Sequence, residues 1–288
     1  KEYQVWDCPN SLGVNGDQID WNIVKSTHNI LSGNKDITLL GLIVDSGKIT
    51  VADSSQALDE TNRGIGLWVT HYLKIDGVID LVGESQLVQK QYTPSQSSES
   101  ILDETSIGYI ERDQQGKRNS FNYNYWSSPV SIQGGVNNAP YSIAEVLKDG
   151  TISSTPKTIT FGSGAYFADS AISNPIKISN RWIWTYNSII VEGDEWANYN
   201  QWNNVAQTGL LRVGEGFTMK GTGGVAPITT TQNYVFVGKP NNGTISLNLN
   251  KDSSYLVGNP YPSALDANEF IKDNLAARNA QGKNVFNG

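Results

Sequence analysis

Residues 37–51 and 67–81 are two versions of one pattern, and no other feature limits the fold as much. Ile37-Thr-Leu-Leu-Gly-Leu-Ile-Val-Asp-Ser-Gly-Lys-Ile-Thr-Val51 reads as a short β-rich strand, an Asp-Ser-Gly turn and a second short strand. Leu67-Trp-Val-Thr-His-Tyr-Leu-Lys-Ile-Asp-Gly-Val-Ile-Asp-Leu81 repeats it with Asp-Gly at the turn, and a further strand follows at 85–89. A unit this short cannot bury its own apolar face, so the copies have to combine. Stacking them gives the coils of a β-solenoid. Pairing through Asp76-Gly77, a hairpin signal, gives an antiparallel meander. Two copies leave both arrangements open.

The rest of the chain also favours strands. Its 288 residues suffice for two domains with real cores. They include 28 Gly, 13 Tyr and 8 Trp, with only 17% charged residues, which suits strands joined by tight turns. Residues 92–105 are polar and Ser-rich and read as a loop. Residues 107–112 read as a strand and Asp113-Gln-Gln-Gly116 as a turn. From 121 onward, aromatic strands alternate with Gly/Asn/Pro turns. Candidates lie at 122–126, 158–161, 181–186, 209–213, 216–220, 234–237, 244–249 and 255–257, the pattern of an antiparallel sandwich or jelly-roll-like domain. Two short helices interrupt it. One covers 143–148, with Ser142 and Glu145 as a capping box; the other follows Ser263, with Asp266 three residues on. The expectation is an all-β chain with a β-solenoid-like domain over 1–120 and a β-sandwich-like domain over 121–288. No strand closes the second domain after its last helix, so the natural polypeptide is expected to continue past Gly288.

Composition excludes several functions. The formal charge is −7, which argues against nucleic acid and anionic membranes. No apolar run reaches the roughly 18 residues of a membrane-spanning helix. Lys1 opens without a signal peptide, so an exported protein would be represented here in mature or trimmed form. Cys8 is the one cysteine and cannot form an internal disulfide; no Cys/His signature surrounds it, and it reads as an incidental thiol. His28 and His71 lack a second ligand at metal spacing, and His71 reads as a packed or edge residue of an apolar strand. Phe161 stands where a nucleophile elbow needs its first glycine before Gly162-Ser163-Gly164. Gly214-Glu-Gly-Phe-Thr-Met-Lys-Gly221 matches neither a P-loop nor a dinucleotide fingerprint, so its glycines read as strand bends and close packing. The chain is read as no enzyme, with no required cofactor.

Two clusters remain as candidate sites. Glu192, Asp194 and Glu195 form the densest acidic group. An exposed loop is the plain reading, and calcium is the one cofactor such a group admits, although the Asp-x-Asp-x-Asp-Gly spacing is missing. Trp182, Trp184, Tyr186, Trp196, Tyr199 and Trp202 lie close together in sequence. Trp182 and Trp184 share one strand face by the period of two and read as core packing. Trp196 and Trp202, with Tyr199, read as loop aromatics able to stack on sugar rings. Asn242-Gly-Thr244 fits an N-glycosylation sequon but reads first as a turn. Asp169-Ser170-Ala171 resembles the short Asp-Ser/Thr-apolar motif of O-glycosylation in some exported bacterial proteins, with Ser170 as acceptor.

Several segments together resemble a known group. Asn122-Tyr-Asn-Tyr-Trp-Ser-Ser-Pro-Val130 resembles its Tyr-Trp-Ser-Ser-Pro motif. Val213-Gly-Glu-Gly-Phe-Thr-Met-Lys-Gly221 resembles its Gly-x-Gly-Phe-x-x-Lys-Gly strand. Phe236-Val-Gly-Lys-Pro-Asn-Asn-Gly-Thr244 and Gly258-Asn-Pro-Tyr-Pro-Ser-Ala-Leu-Asp266 resemble its Phe-x-Gly-x-Pro-Asn-x-Gly and Gly-Asn-Pro-Tyr-Pro-Ser motifs. Ile75-Asp-Gly-Val-Ile-Asp-Leu-Val-Gly-Glu-Ser-Gln-Leu-Val-Gln89 is similar to its solenoid coil. The group is the large cell-surface or secreted proteins of the Bacteroidota exported by the type IX secretion system. The resemblance covers residue 37 to the end. It favours the solenoid over the meander. It implies an extracellular or outer-surface location, with the type IX translocon and shuttle as partners through a C-terminal signal beyond residue 288. It carries over no catalytic residue. The expected function is that of a non-catalytic extracellular surface region, adhesive or structural, a stalk or spacer. The alternatives are a carbohydrate-binding module for surface glycans and an ancillary domain of a larger secreted enzyme.

Overall fold

The computed structural model describes residues 11–12, 18–19, 22–90, 99–164, 175–188, 192–196, 201–222, 226–249 and 253–276. The chain is all-β with short helices. After a short antiparallel pair, Ser11–Leu12 with Gln18–Ile19, its first half comprises β1 (Ile23–Ser26), β2 (Ile30–Leu31), β3 (Ile37–Val44), β4 (Lys48–Val51), β5 (Gly66–Ile75), β6 (Val78–Leu81), β7 (Gln86–Gln89), β8 (Ile101–Leu102) and β9 (Tyr109–Lys117). These strands form two parallel ladders. One runs β1–β3–β5, with β7 and β8 both beyond β5; the other runs β2–β4–β6–β9.

Register shows why the repeat exists. Val24, Leu42, Leu73 and Leu102 line up across the first ladder, and Ile30, Ile49, Ile79 and Ile110 across the second. Leu42, Leu73, Ile79 and Ile110 are wholly buried. Each such side chain contributes about 1.5–3 kcal/mol through burial, so like residues at like positions build one continuous core. The turns obey the same rule. A Cβ on Gly77 would lie 2.5 Å from the carbonyl oxygen of Gly47, and one on Gly108 would strike the carbonyl oxygen of Gly77. The corners stack backbone on backbone, and only glycine leaves the room. The meander does not occur. Asp76-Gly77 joins β5 to β6, which belong to different ladders, so it turns a corner and closes no hairpin.

The main elements of the second half are β10 (Tyr123–Trp126), α1 (Ile143–Val146), β11 (Leu147–Asp149), β12 (Trp184–Tyr186), β13 (Trp202–Asn204), β14 (Phe217–Lys220), β15 (Thr231–Pro240) and α2 (Ala267–Ala276), with short strands also at Val130–Ser131, Lys157–Thr158, Thr160–Gly162 and Lys177–Ser179. Asp113–Gly116 is not a turn. It is the centre of β9, paired antiparallel with β15 from Ile110↔Gly238 to Lys117↔Thr231. Polar partners sustain this stretch: Asn233 donates to Asp113 Oδ1 at 2.9 Å. β9 thereby joins the parallel ladder to the antiparallel strands β15 and β11.

A separate four-stranded antiparallel sheet, β10–β14–β12–β13, lies over this layer. Trp126, Phe217, Met219 and Ile183 face the core, where Trp126 meets Tyr234 edge-on at 5.5 Å and Phe236 at a tilt, 6.0 Å between ring centroids.

Several expected elements differ. Residues 209–213 and 244–249 form no strand, and 255–257 makes only isolated bridges at Tyr255 and Val257. The alternation in 244–249 has another use: Ile245 and Leu247 are the side chains nearest Gly214. The Ser-rich segment contains β8, and 91–98 lie outside the described residues. α1 is shorter than 143–148 because Leu147 leaves helical angles to begin β11, which pairs with β15; its predicted cap is present, with Glu145 accepting from the Ser142 N–H at 2.8 Å. α2 is capped by Asp266 rather than Ser263, its carboxylate accepting from the backbone N–H of Asn268 and Glu269 at 2.9 and 3.1 Å.

The family-like motifs converge on Asn241, which is buried. Its Nδ2 donates to the carbonyls of Ser128 at 3.1 Å and Pro260 at 2.9 Å, and its Oδ1 accepts from Ser131 Oγ at 2.6 Å. Leu87 N–H donates to the Pro262 carbonyl at 3.0 Å. One amide thus ties the Tyr-Trp-Ser-Ser-Pro, Pro-Asn-Asn-Gly and Asn-Pro-Tyr-Pro segments, and the last of these grips the edge of the parallel ladder.

Candidate functional site

The outer face of the four-stranded sheet carries an aromatic trough. In β10 the order Tyr123-Asn124-Tyr125-Trp126 alternates outside and inside. Asn124 and Trp126 are 8% exposed, whereas Tyr123 and Tyr125 are 39% and 66% exposed. Asn124 fixes the strand by accepting from the Lys117 N–H at 2.6 Å and donating to the Lys117 carbonyl at 3.0 Å. With the inward residues locked, the two tyrosines project together.

β12 and β13 supply the opposite wall. Ile183 and Thr185 are buried, so Trp184 and Tyr186 point outward and are half-buried. The expectation that Trp182 and Trp184 share a buried strand face is overturned: the strand turns its β-branched residues inward, and Trp182 lies in a 3-10 turn, Asn180–Trp182, before it. Trp202 is a strand residue rather than a loop residue, paired with Tyr186, their ring centroids 5.0 Å apart. Asn204 braces this wall through its Nδ2, which donates to the carbonyls of Arg181 at 2.9 Å and Ile183 at 3.0 Å.

Between the walls runs β14. Thr218 pairs with Tyr125 on one side and Trp184 on the other. It is 3% exposed and is the floor. Tyr123, Tyr125, Trp184, Trp202 and Thr218 enclose about 370 Å³, within the span typical of small-molecule sites. The indole Nε1 of Trp184 is buried without a hydrogen-bond partner. Burial, aided by the neighbouring Tyr125, pushes the Tyr123 hydroxyl above the ordinary tyrosine range, so it stays a neutral donor at physiological pH. Among the described residues the lining has no carboxylate, imidazole or thiol, hence flat faces and hydroxyls for holding a ligand but no ordinary acid–base pair.

At one end the trough meets two cations. Lys220 pairs with Tyr123 across the ladder, its Nζ 5.0 Å from the Tyr123 ring centroid and 3.9 Å from that of Trp182. Arg181 also lies over the Trp182 ring, its Cζ 5.4 Å from the centroid.

Trp196, Glu192, Asp194 and Glu195 are not among the described residues that line this site. Trp196 is 75% exposed and Glu192, Asp194 and Glu195 are exposed. Among the described residues no group of three His, Cys, Asp or Glu side chains is placed to hold a metal ion. His71 is exposed on β5. Tyr199, Ser170 and Cys8 lie outside the described residues. Tyr123 and Tyr125 were not among the candidates, yet Tyr-x-Tyr at a period of two, with Asn and Trp between, is the signal that exposes them together.

Residues 160–285, less than half of the chain, match the model of a family described as "Domain of unknown function (DUF8693)". The match takes in Trp184, Trp202 and Thr218 but not Tyr123 and Tyr125, so the trough is assembled from the matched region and from chain before it. No curated protein and no solved structure matches.

Proposed function

We propose that this chain is a non-catalytic glycan-binding region of an extracellular surface protein. The observation that carries the reading is the trough itself. Four aromatic side chains from three strands stand outward around a small floor residue, although burial of those rings would have been worth several kcal/mol in a core. Aromatic faces stack on the C–H faces of sugar rings, and the Tyr hydroxyls suit the hydroxyls around them. The absence of an acid–base pair from the lining supports binding over hydrolysis.

The parallel ladders are read as coils of a β-solenoid, on the strength of their shared register and stacked glycine corners. The antiparallel layers are read as a sandwich-like domain. In this view the solenoid is a rigid spacer and the sandwich presents the trough. Display outside the cell by the type IX route rests on the motif resemblance alone.

A glycan array followed by calorimetry tests the reading. Binding is expected and should fall on Trp202→Ala and on Tyr125→Ala while Trp196→Ala leaves it intact. Absence of glycan binding, or binding indifferent to Trp202 and Tyr125, overturns it.

A further inference from the structure

Lys220 and Arg181 spend their charge on aromatic faces and on no carboxylate among the described residues. Neither makes an ion pair among the described residues; the pairs there belong to Lys25, Lys48, Lys74 and Lys272. Their contacts are rings: Lys220 rests on Trp182 and Tyr123, and Arg181 on Trp182. Arg181 is exposed and Lys220 half-exposed, so both charged heads remain available to a ligand.

Their position relative to the trough is fixed by the ladder. Lys220 is two residues beyond the floor residue Thr218 on β14, a rise of about 6.8 Å. A sugar ring lying over Thr218 between Tyr125 and Trp184 therefore points one edge toward the Lys220 row. The chain as a whole carries −7, so two cations without an acidic neighbour in the trough lining form a local reversal of sign. Such a reversal favours anions at that spot.

We infer that the trough takes an acidic glycan, its sugar ring stacked among Tyr125, Trp184 and Trp202 and its carboxylate held by Lys220 and Arg181. This inference rests on the glycan-binding reading above. It adds the substrate class, uronate-type sugars, and two specificity residues that the aromatic lining does not include. Ring contacts also hold the two cations in place, which lowers the ordering cost of meeting a carboxylate.

The test uses matched probes: polygalacturonate, alginate and hyaluronate, each beside its methyl-esterified form, which keeps the backbone and removes the charge. The acidic forms are expected to bind more tightly, with affinity falling as sodium chloride rises. Lys220→Gln with Arg181→Gln should weaken acidic binding roughly tenfold or more, the loss of charge-assisted hydrogen bonds, while leaving esterified binding unchanged. Lys220→Arg should keep the preference, and thermal unfolding of each variant separates binding from folding. Equal binding of both forms, or indifference to the double substitution, overturns the acidic preference and leaves the glycan reading intact. No binding to any probe or to the neutral array overturns both. Binding of a proline-rich peptide in place of glycans assigns the trough to another class of partner and also overturns both.

Discussion

Gly116 in β9 lies against the indole of Trp126 in β10: a Cβ at Gly116 would stand 2.5 Å from Trp126 Cζ2. The contact joins the two halves of the molecule, because β9 belongs to the parallel ladder and β10 carries Tyr123 and Tyr125. Gly116→Ala therefore overpacks this junction and should cost about 1–3 kcal/mol, against the usual gain from replacing glycine within a strand. Urea denaturation measures it. In a Trp126→Leu background the same substitution should cost much less, because the clashing ring is gone.

Asn241 predicts a different kind of sensitivity. Asn241→Asp preserves size but removes the donor that serves the Ser128 and Pro260 carbonyls. The buried Ser128 carbonyl and the part-buried Pro260 carbonyl lose their partner and a buried charge appears. The expected loss is about 2–5 kcal/mol, read by chemical denaturation. A variant as stable as the parent would show that the motif segments hold together without this amide.

These two residues illustrate what the chain discloses before folding. The repeat was legible because stacked strands need like residues at like positions, which leaves Ile30, Ile49, Ile79 and Ile110 in columns. The capping box of α1 was legible because it is local. The trough was not. A period of two divides Trp184 and Tyr186 from Ile183 and Thr185, but it does not say which set faces inward; the neighbouring layer decides that. Gly116 reads as a turn in the sequence because a glycine needed for close approach looks the same there as one needed for a bend. The tyrosines of β10 fall within the segment that resembles the Tyr-Trp-Ser-Ser-Pro motif, and the resemblance assigns them no face.

Asp80 makes stability depend on pH. Burial raises its pKa to about 6, opposed by Lys48, whose Nζ lies 3.4 Å from Oδ2, and reinforced by the charges of Glu111 and Asp113. An unfolded aspartate titrates near ~3.9. Between these values the folded state holds a proton that the unfolded state has lost. The group therefore favours folding most at low pH, and that contribution falls as pH rises through 4 to 6. Asp80→Asn should flatten this window. The check is the difference in Tm between parent and variant, followed from pH 4 to pH 7. A pH-independent difference would contradict the raised value.

Asp103 acts in the opposite direction and at a lower pH. Hydrogen bonds from Thr105 and Tyr72 bring its pKa down to about 2. Its contribution is present above the unfolded value and is lost as pH falls toward 2. Asp103→Asn should reduce stability at pH 6 and converge with the parent in strong acid. Tyr72→Phe should reproduce part of that change, since the Tyr72 hydroxyl is one of the donors.

The alternation in β10 gives the sharpest contrast between fold and site. Tyr125 and Trp126 are adjacent, yet Tyr125 is 66% exposed on the trough and Trp126 is 8% exposed against Tyr234 and Phe236. Trp126→Ala should cost about 3–5 kcal/mol through the cavity it leaves. Tyr125→Ala should change stability by no more than about 0.5 kcal/mol, as for other exposed positions, and should weaken glycan binding roughly tenfold through the lost stacking face. Thermal unfolding and calorimetric titration on the same two variants read both effects. If Tyr125→Ala destabilised as much as Trp126→Ala, the tyrosine would be part of the core packing and the trough would lose its wall as a binding surface. If both variants bound glycan like the parent, the outer face of this sheet would have no part in recognition.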